Sequence, residues 1–177
     1  SYLCKEVLRP FKAGGIPVNF YKVDQSLIVD LEDIERKIAK NTKVLLVIHY
    51  FGFPQPIKEL RGLCNERSLC LIEDVAQAFL TSYHGQPLGW FGNISFSSFR
   101  KFLPIPDGSL LLINKNSVSV DINATSNWVE ESLEHYLYVY LRFFSMILKY
   151  SYLMTGFFPK LFFLRLFHYA DEILDEY

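Results

Sequence analysis

The sequence has few of the features that mark metal-binding, secreted or nucleic-acid-binding proteins. Its three cysteines, Cys4, Cys64 and Cys70, form no CxxC pair and have no histidine cluster beside them, so neither a zinc site nor a disulfide framework is predicted. Because this cysteine usage calls for no oxidising compartment, the expected location is the reducing cytoplasm. The formal net charge is −1, which leaves no basic surface of the kind that binds nucleic acid.

Long uncharged apolar runs are also missing. In the last third of the chain, Glu134, Arg142, Lys149 and Lys160 interrupt an aromatic-rich stretch, so no segment approaches the roughly 18 to 20 uncharged residues of a membrane span. Association of residues 134–168 with a membrane surface stays open as a disfavoured alternative. The chain does have 50% apolar and 16% aromatic residues over its 177 positions, a composition that predicts a packed globular domain.

Apolar runs alternate with helical patterns through the first 115 residues. We predict strands over residues 15–23, 43–50, 69–73 and 94–99, and helices over residues 31–41 and 56–67. This order predicts right-handed βαβ units, hence an α/β fold with a mostly parallel sheet and flanking helices. Ligands of such sheets bind beyond the carboxyl ends of the strands, so His49 and Asp74 are expected to point toward one crevice.

The remainder of the chain has a different character. Residues 116–127 form a polar connector, and residues 128–177 are predicted to be helical with a break near Gly156 and Pro159. One face of the first helix carries an aromatic stripe at helical spacing, which comprises Tyr136, Tyr140, Phe143, Phe144, Ile147 and Tyr150. The other faces of this helix are apolar as well, so the segment is expected to bury itself against another domain or a partner subunit.

The stretch over residues 69–113 combines an acid at a strand end, Asp74, with a lysine after the next strand, Lys101. In enzymes that use pyridoxal 5'-phosphate, a lysine amine condenses with the cofactor aldehyde, and a carboxylate keeps the ring nitrogen protonated so that the ring accepts electrons. Each residue alone also has an ordinary reading, Asp74 as a helix N-cap and Lys101 as a solvated turn residue. Their joint order favours the cofactor site.

Ordered motifs around these residues resemble the DegT/DnrJ/StrS family of sugar aminotransferases, which are pyridoxal phosphate enzymes of fold type I. The resemblance covers about residues 1–115 and predicts a partial large domain from a longer enzyme, without its N-terminal segment and its C-terminal small domain. The motifs are Ile48-His49-Tyr50-Phe51-Gly52, Glu73-Asp74-Val75-Ala76-Gln77-Ala78, Gly85-Gln86-Pro87-Leu88-Gly89, Gly92-Asn93-Ile94-Ser95-Phe96-Ser97-Ser98-Phe99 and Asp107-Gly108.

The resemblance implies a role for each matching residue. Asp74 would pair with the pyridinium nitrogen, and Gln77 would hydrogen-bond the ring hydroxyl side of the cofactor. Ser98 would hold the phosphate, and Lys101 would form the internal Schiff base and shuttle protons. The implied reaction moves an amino group from an amino acid, usually glutamate, to the keto group of a nucleotide-linked sugar for polysaccharide synthesis, in an enzyme that is a homodimer.

Several positions depart from the family pattern. Lys101 lies three residues after Ser98 instead of five, which we interpret as a shortened turn. Cys4 stands where family members tend to place the aromatic residue that stacks on the cofactor, and His49 would lie near the cofactor without an assigned role. Two alternatives follow: a sugar dehydratase relative, in which a histidine would replace the lysine, or a degenerate non-catalytic fragment.

Overall fold

The computed structural model describes residues 3–103, 105, 108–114 and 133–155. Of these, residues 3–97 and 111–114 belong to one compact unit and the others to a second unit. The elements, in chain order, are α1 (Lys5–Ala13), α2 (Leu31–Lys37), β1 (Val44–Ile48), α3 (Ile57–Glu66), β2 (Cys70–Asp74), β3 (Ser82–Tyr83), β4 (Gln86–Pro87), β5 (Ile94–Ser98), β6 (Ser109–Ile113) and α4 (Leu133–Thr155).

A four-stranded sheet in the order β1-β2-β5-β6 organises the first unit. β1 runs parallel to β2, with Ile48 opposite Asp74, and β2 runs parallel to β5, with Asp74 opposite Phe96. β2 therefore has a parallel neighbour on each side. The α/β class and the predominantly parallel pairing are confirmed.

The helices follow the predicted patterns closely. Asp30 caps α2, because its Oδ1 accepts a hydrogen bond from the backbone N–H of Asp33 at 2.9 Å. α2 ends at Lys37, before the predicted end at residue 41, because Ile38 has an extended backbone. α3 packs one apolar face into the core beneath the sheet, and the buried residues of that face are Ile57, Leu60, Leu63 and Cys64.

The strand predicted over residues 15–23 does not form. This stretch makes only an isolated bridge between Val23 and Val29, although the apolar side chains of Ile16, Val18 and Phe20 alternate along it and are well exposed. A strand requires a neighbouring strand for its backbone hydrogen bonds, and among the described residues none lies beside it. Helix α1, which precedes this stretch, was not predicted.

β1 forms one edge of the described sheet, and an apolar groove of about 350 Å³ runs along it. Residues of α1, of the extended stretch 16–21 and of α2 form its walls. Tyr21 reaches across to the edge, where its hydroxyl donates a hydrogen bond to the carbonyl oxygen of Leu46 at 3.0 Å. Within β1, Val44 is exposed, whereas Leu45, Val47 and Ile48 are buried.

The second unit contains a 3-10 turn at Phe99–Lys101 and helix α4. Of the α4 residues whose side chains are described, Ser145 and Leu148 are buried, whereas the aromatic stripe is about half exposed or more. The predicted burial of this segment against another domain or a partner subunit stays a prediction. In the part of the chain that the structure describes, no helix is long and apolar enough to cross a membrane. The connector predicted over residues 116–127 and the helical segment predicted after the break near Gly156 and Pro159 lie outside the described residues.

Candidate active site

Asp74 is the buried acid at the carboxyl end of the central strand β2. Its side chain is 6% exposed, and its Oδ1 accepts a hydrogen bond from the backbone N–H of Ala76 at 2.9 Å. The neighbouring strands hold its backbone on both sides: the N–H of His49 donates to the Asp74 carbonyl at 3.1 Å, and the N–H of Val75 donates to the carbonyl of Phe96 at 2.9 Å. The acid therefore occupies a fixed position at the strand end.

Two tyrosines lie within the electrostatic reach of Asp74. Burial raises the pKa of the Tyr50 hydroxyl, and the negative charge of Asp74 raises it further. Burial is also the main cause that raises the pKa of Tyr21, and the charges of Tyr50 and Asp74 raise it further. Both hydroxyls therefore stay protonated near neutral pH, and the O–H of Tyr21 donates to the carbonyl of Leu46. Sequence reasoning missed both tyrosines, because their approach to Asp74 depends on packing between segments that are distant in sequence.

Gln77 joins the loops that follow β1 and β2. Its Oε1 accepts a hydrogen bond from the backbone N–H of Phe51 at 2.9 Å, and nearby the Thr81 hydroxyl donates to the Gly52 carbonyl at 3.0 Å. Phe51 and Gly52 both have left-handed backbones, with φ of 52° and 89°. Because Phe51 engages the Gln77 oxygen, the amide nitrogen is the group that Gln77 can offer to a ligand.

The His49 ring contacts Glu73 and Gln55, and its predicted place near the cofactor stays a prediction. The imidazole is fully buried, its Nδ1 accepts a hydrogen bond from the backbone N–H of Gln55 at 3.1 Å, and its Nε2 lies 3.2 Å from Oε2 of Glu73. Consecutive strand residues point to opposite faces of a sheet, so Glu73 and Asp74 diverge. His49 lies on the same face as Glu73, and both nitrogens of its ring have hydrogen-bond partners in the protein.

Glu73 is a further polar residue of this region that sequence reasoning did not assign. The carboxylate is fully buried, and it accepts hydrogen bonds from the backbone N–H groups of Gly89, at 2.9 Å, and Gly92. With His49 it therefore faces three donors. The available signal was a second acid, next to Asp74, in an otherwise largely apolar strand, since a buried acid must have partners.

The remaining predicted site residues are Ser98, Lys101 and Cys4. Ser98 is the last residue of β5 and is partly buried, and Lys101 is the exposed last residue of the 3-10 turn; both belong to the second unit, whereas Asp74 and Gln77 belong to the first. Cys4 lies immediately before α1 and is exposed. The roles of these residues stay predictions.

Comparisons with known proteins agree on one family. The chain is 37% identical to a GDP-perosamine synthase from Vibrio cholerae over 109 residues, which are 60% of this chain and 30% of that protein. It is 39% identical to a dTDP-4-dehydro-2,3,6-trideoxy-D-glucose 4-aminotransferase from Saccharopolyspora spinosa over 101 residues, which are 55% of this chain and 26% of that protein. The chain thus spans less than a third of the length of these relatives.

A solved structure shares the fold. The aminotransferase TlmJ from Streptoalloteichus hindustanus superposes with a TM-score of 0.59 at 27% sequence identity, over 63% of this chain and 31% of that one. The model of the DegT/DnrJ/EryC1/StrS aminotransferase family matches residues 11–128, which include β1, β2, β5 and the Asp74 cluster. The chain belongs to the DegT/DnrJ/EryC1/StrS aminotransferase family.

Proposed function

We propose that the protein transfers an amino group from an amino acid, with glutamate as the expected donor, to the keto group of a nucleotide-linked sugar, with pyridoxal 5'-phosphate as cofactor. The observation that carries the proposal is the buried carboxylate of Asp74, held at the end of the central parallel strand within the family motif. The names of two relatives, a GDP-perosamine synthase and a dTDP-sugar 4-aminotransferase, support the nucleotide-sugar class.

The chemistry of the residues fits this cofactor. A buried, hydrogen-bonded carboxylate such as Asp74 suits a protonated ring nitrogen, because the opposite charge stabilises the pyridinium form in a poorly hydrated site. Gln77 is oriented by Phe51 so that its amide nitrogen can donate to the ring hydroxyl. When bound, pyridoxal 5'-phosphate supplies an electron-accepting ring.

Lys101 is assigned the proton-carrying role on the donor side of the reaction. Its Nζ would take a proton from the carbon of the amino-acid donor and return it during amination of the sugar, as a positioned general base and acid. It is the only lysine between Lys58 and Lys115, so no other lysine of that segment competes for the role. Ser98 is assigned to bind the phosphate through its hydroxyl.

An absorption titration of the intact protein tests the assignment. Adding pyridoxal 5'-phosphate is expected to produce the absorption band of a lysine-bound cofactor, and Lys101→Ala is expected to abolish it. Lys58→Ala, on the exposed side of α3, is the matched control and should retain the band. An unchanged band in Lys101→Ala would show that another group holds the cofactor.

A product analysis tests the reaction class. Incubation of the loaded protein with glutamate and a GDP- or dTDP-linked 4-keto sugar is expected to yield an aminated sugar nucleotide, detected by mass spectrometry. Recovery of a deoxygenated sugar without nitrogen would instead identify a dehydratase.

A further inference from the structure

We infer that His49 and Glu73 form a positioning pair that holds Asp74 in place from the opposite face of the sheet. Neither residue is assigned to the cofactor itself. The inference rests on the proposed function, because it takes Asp74 to be the residue that meets the cofactor ring. It is carried by the hydrogen bonds that converge on the pair and by the burial of both side chains.

Glu73 is a fully buried acid on which three hydrogen-bond donors of the described residues converge. The backbone N–H groups of Gly89 and Gly92 donate to its two oxygens, and Nε2 of His49 donates to Oε2. Three donors that converge on one carboxylate fix its orientation. The side chain therefore ties β2 to the turn at residues 89–92.

His49 makes two hydrogen bonds to the end of β2, one through its backbone and one through its side chain. Its backbone N–H donates to the carbonyl of Asp74 at 3.1 Å, and its side chain binds Glu73, the preceding residue. The N–H of Gln55 donates to Nδ1, so the proton of the neutral ring lies on Nε2 and faces the carboxylate. One residue thus fixes the backbone of Asp74 and the side chain of its neighbour.

Gln55 connects this hydrogen-bond network to residues 27–29. Its Oε1 accepts a hydrogen bond from the N–H of Val29 at 2.9 Å, and its Nε2 donates to the carbonyl of Leu27 at 3.0 Å. The Gln55 side chain is buried, and its hydrogen bonds keep the residue that orients His49 from shifting. The network therefore reaches from residue 27 to the turn at residues 89–92.

The consequence for Asp74 follows from chain geometry. Asp74 directly follows Glu73, so a rotation of the Glu73 backbone swings the Asp74 carboxylate on the other face of the strand. Glu73→Gln places an amide NH₂ in a site surrounded by donors, and one donor must then move away or lose its acceptor. A displacement of about 1 Å at a positioned group is enough to impair its function by orders of magnitude.

The test compares two buried carboxylates in the intact protein. Glu73→Gln is expected to weaken pyridoxal 5'-phosphate binding roughly tenfold or more, as the loss of an outer partner does in metal sites. It should also move the pH midpoint of the bound cofactor's absorption in the same direction as Asp74→Asn does, by a smaller amount. His49→Gln, which keeps a donor near Glu73 but loses the acceptor for Gln55, is expected to act likewise.

Asp33→Asn provides the matched control, because Asp33 is an equally buried carboxylate with a backbone donor and two basic partners in α2, outside the network. It should lower stability to urea without altering cofactor affinity or the absorption midpoint. If Glu73→Gln behaves like Asp33→Asn, the pair is merely structural and the inference is overturned, as it also is if neither pair variant folds. If the wild-type protein binds no cofactor, the proposed function fails first and the inference fails with it.

Discussion

At the scale of single residues, Gly92 is constrained by its surroundings more than by its backbone angle. A Cβ built on it would lie 2.9 Å from the carbonyl oxygens of Leu71 and Ile94 and 3.2 Å from Cγ of Glu73. Backbone atoms cannot move aside cheaply, so any side chain would push the turn away from β2. Its N–H is also one of the donors to the Glu73 carboxylate.

Gly92→Ala is therefore expected to lower the free energy of unfolding by about 1–3 kcal/mol, the usual cost of overpacking. Gly62→Ala is the matched control, since a Cβ on this α3 residue meets nothing within 4 Å. Removing a glycine from a helix interior should raise the free energy of unfolding by about 0.5–1 kcal/mol. Urea denaturation of both variants measures the difference, and equal effects would contradict the account of Gly92.

The position of Asp74 at a strand end could be predicted from the sequence, whereas the orientation of His49 could not. The position of an acid at a strand end follows from the apolar run that precedes it, and the family motif names the acid. The direction of the His49 side chain depends on which face it takes after β1 and on the partner it meets there. Glu73 and Gln55 supply those partners from 24 and 6 residues away, and no local pattern records them.

At the scale of elements, α2 owes part of its stability to one carboxylate in its first turn. Asp33 accepts a hydrogen bond from the N–H of Lys22 at 2.9 Å, and it pairs with Arg36 and with Lys37, the latter at 2.9 Å. The bond to Lys37, with those from Lys22 and Arg36, lowers the pKa of Asp33 from 3.8 to about 2. A depressed pKa means that this contribution is complete above the unfolded-state pKa and is lost as pH falls through the folded-state value.

Asp33→Asn is thus expected to destabilise the protein at pH 7, with a gap to the wild type that narrows below pH 3.8 and closes near pH 2. Urea unfolding midpoints followed across this range give the measurement. Glu35→Gln, on the exposed side of the same helix, serves as the control and should show no comparable gap. A gap for Asp33→Asn that is independent of pH would mean that packing, rather than charge, is lost.

The elements that the sequence predicted well are those whose burial pattern is local. We could predict β1 and β2 from their apolar runs, and α3 from its single apolar face, without knowing which elements they pack against. The stretch over residues 15–23 has the alternation of a strand, yet it lacks a partner among the described residues and stays unpaired apart from the bridge at Val23. Strand formation depends on the neighbour as much as on the sequence of the strand itself.

At the scale of the whole molecule, the parallel pairing of β1 and β2 brings their carboxyl ends together at one edge of the first unit, where we propose that the reaction takes place. Asp74, Gln77 and Tyr50 lie at this edge, and the network of His49 and Glu73 braces it from the other face. Any redesign of the site should keep His49 and Glu73, because Glu73 and Asp74 are consecutive residues on opposite faces of β2 and a shift of one backbone moves the other.

The edge position of β1 has a further consequence, for hydrogen–deuterium exchange. The N–H of His49 points toward β2, so those of Leu45 and Val47 do as well, while that of Leu46 points outward into the groove. We expect Leu45 and Val47 amides to exchange slowly and the Leu46 amide to exchange fast, a two-residue rhythm that β2, bonded on both sides, should lack. Uniformly slow exchange along β1 in the intact protein would reveal another strand paired with that edge.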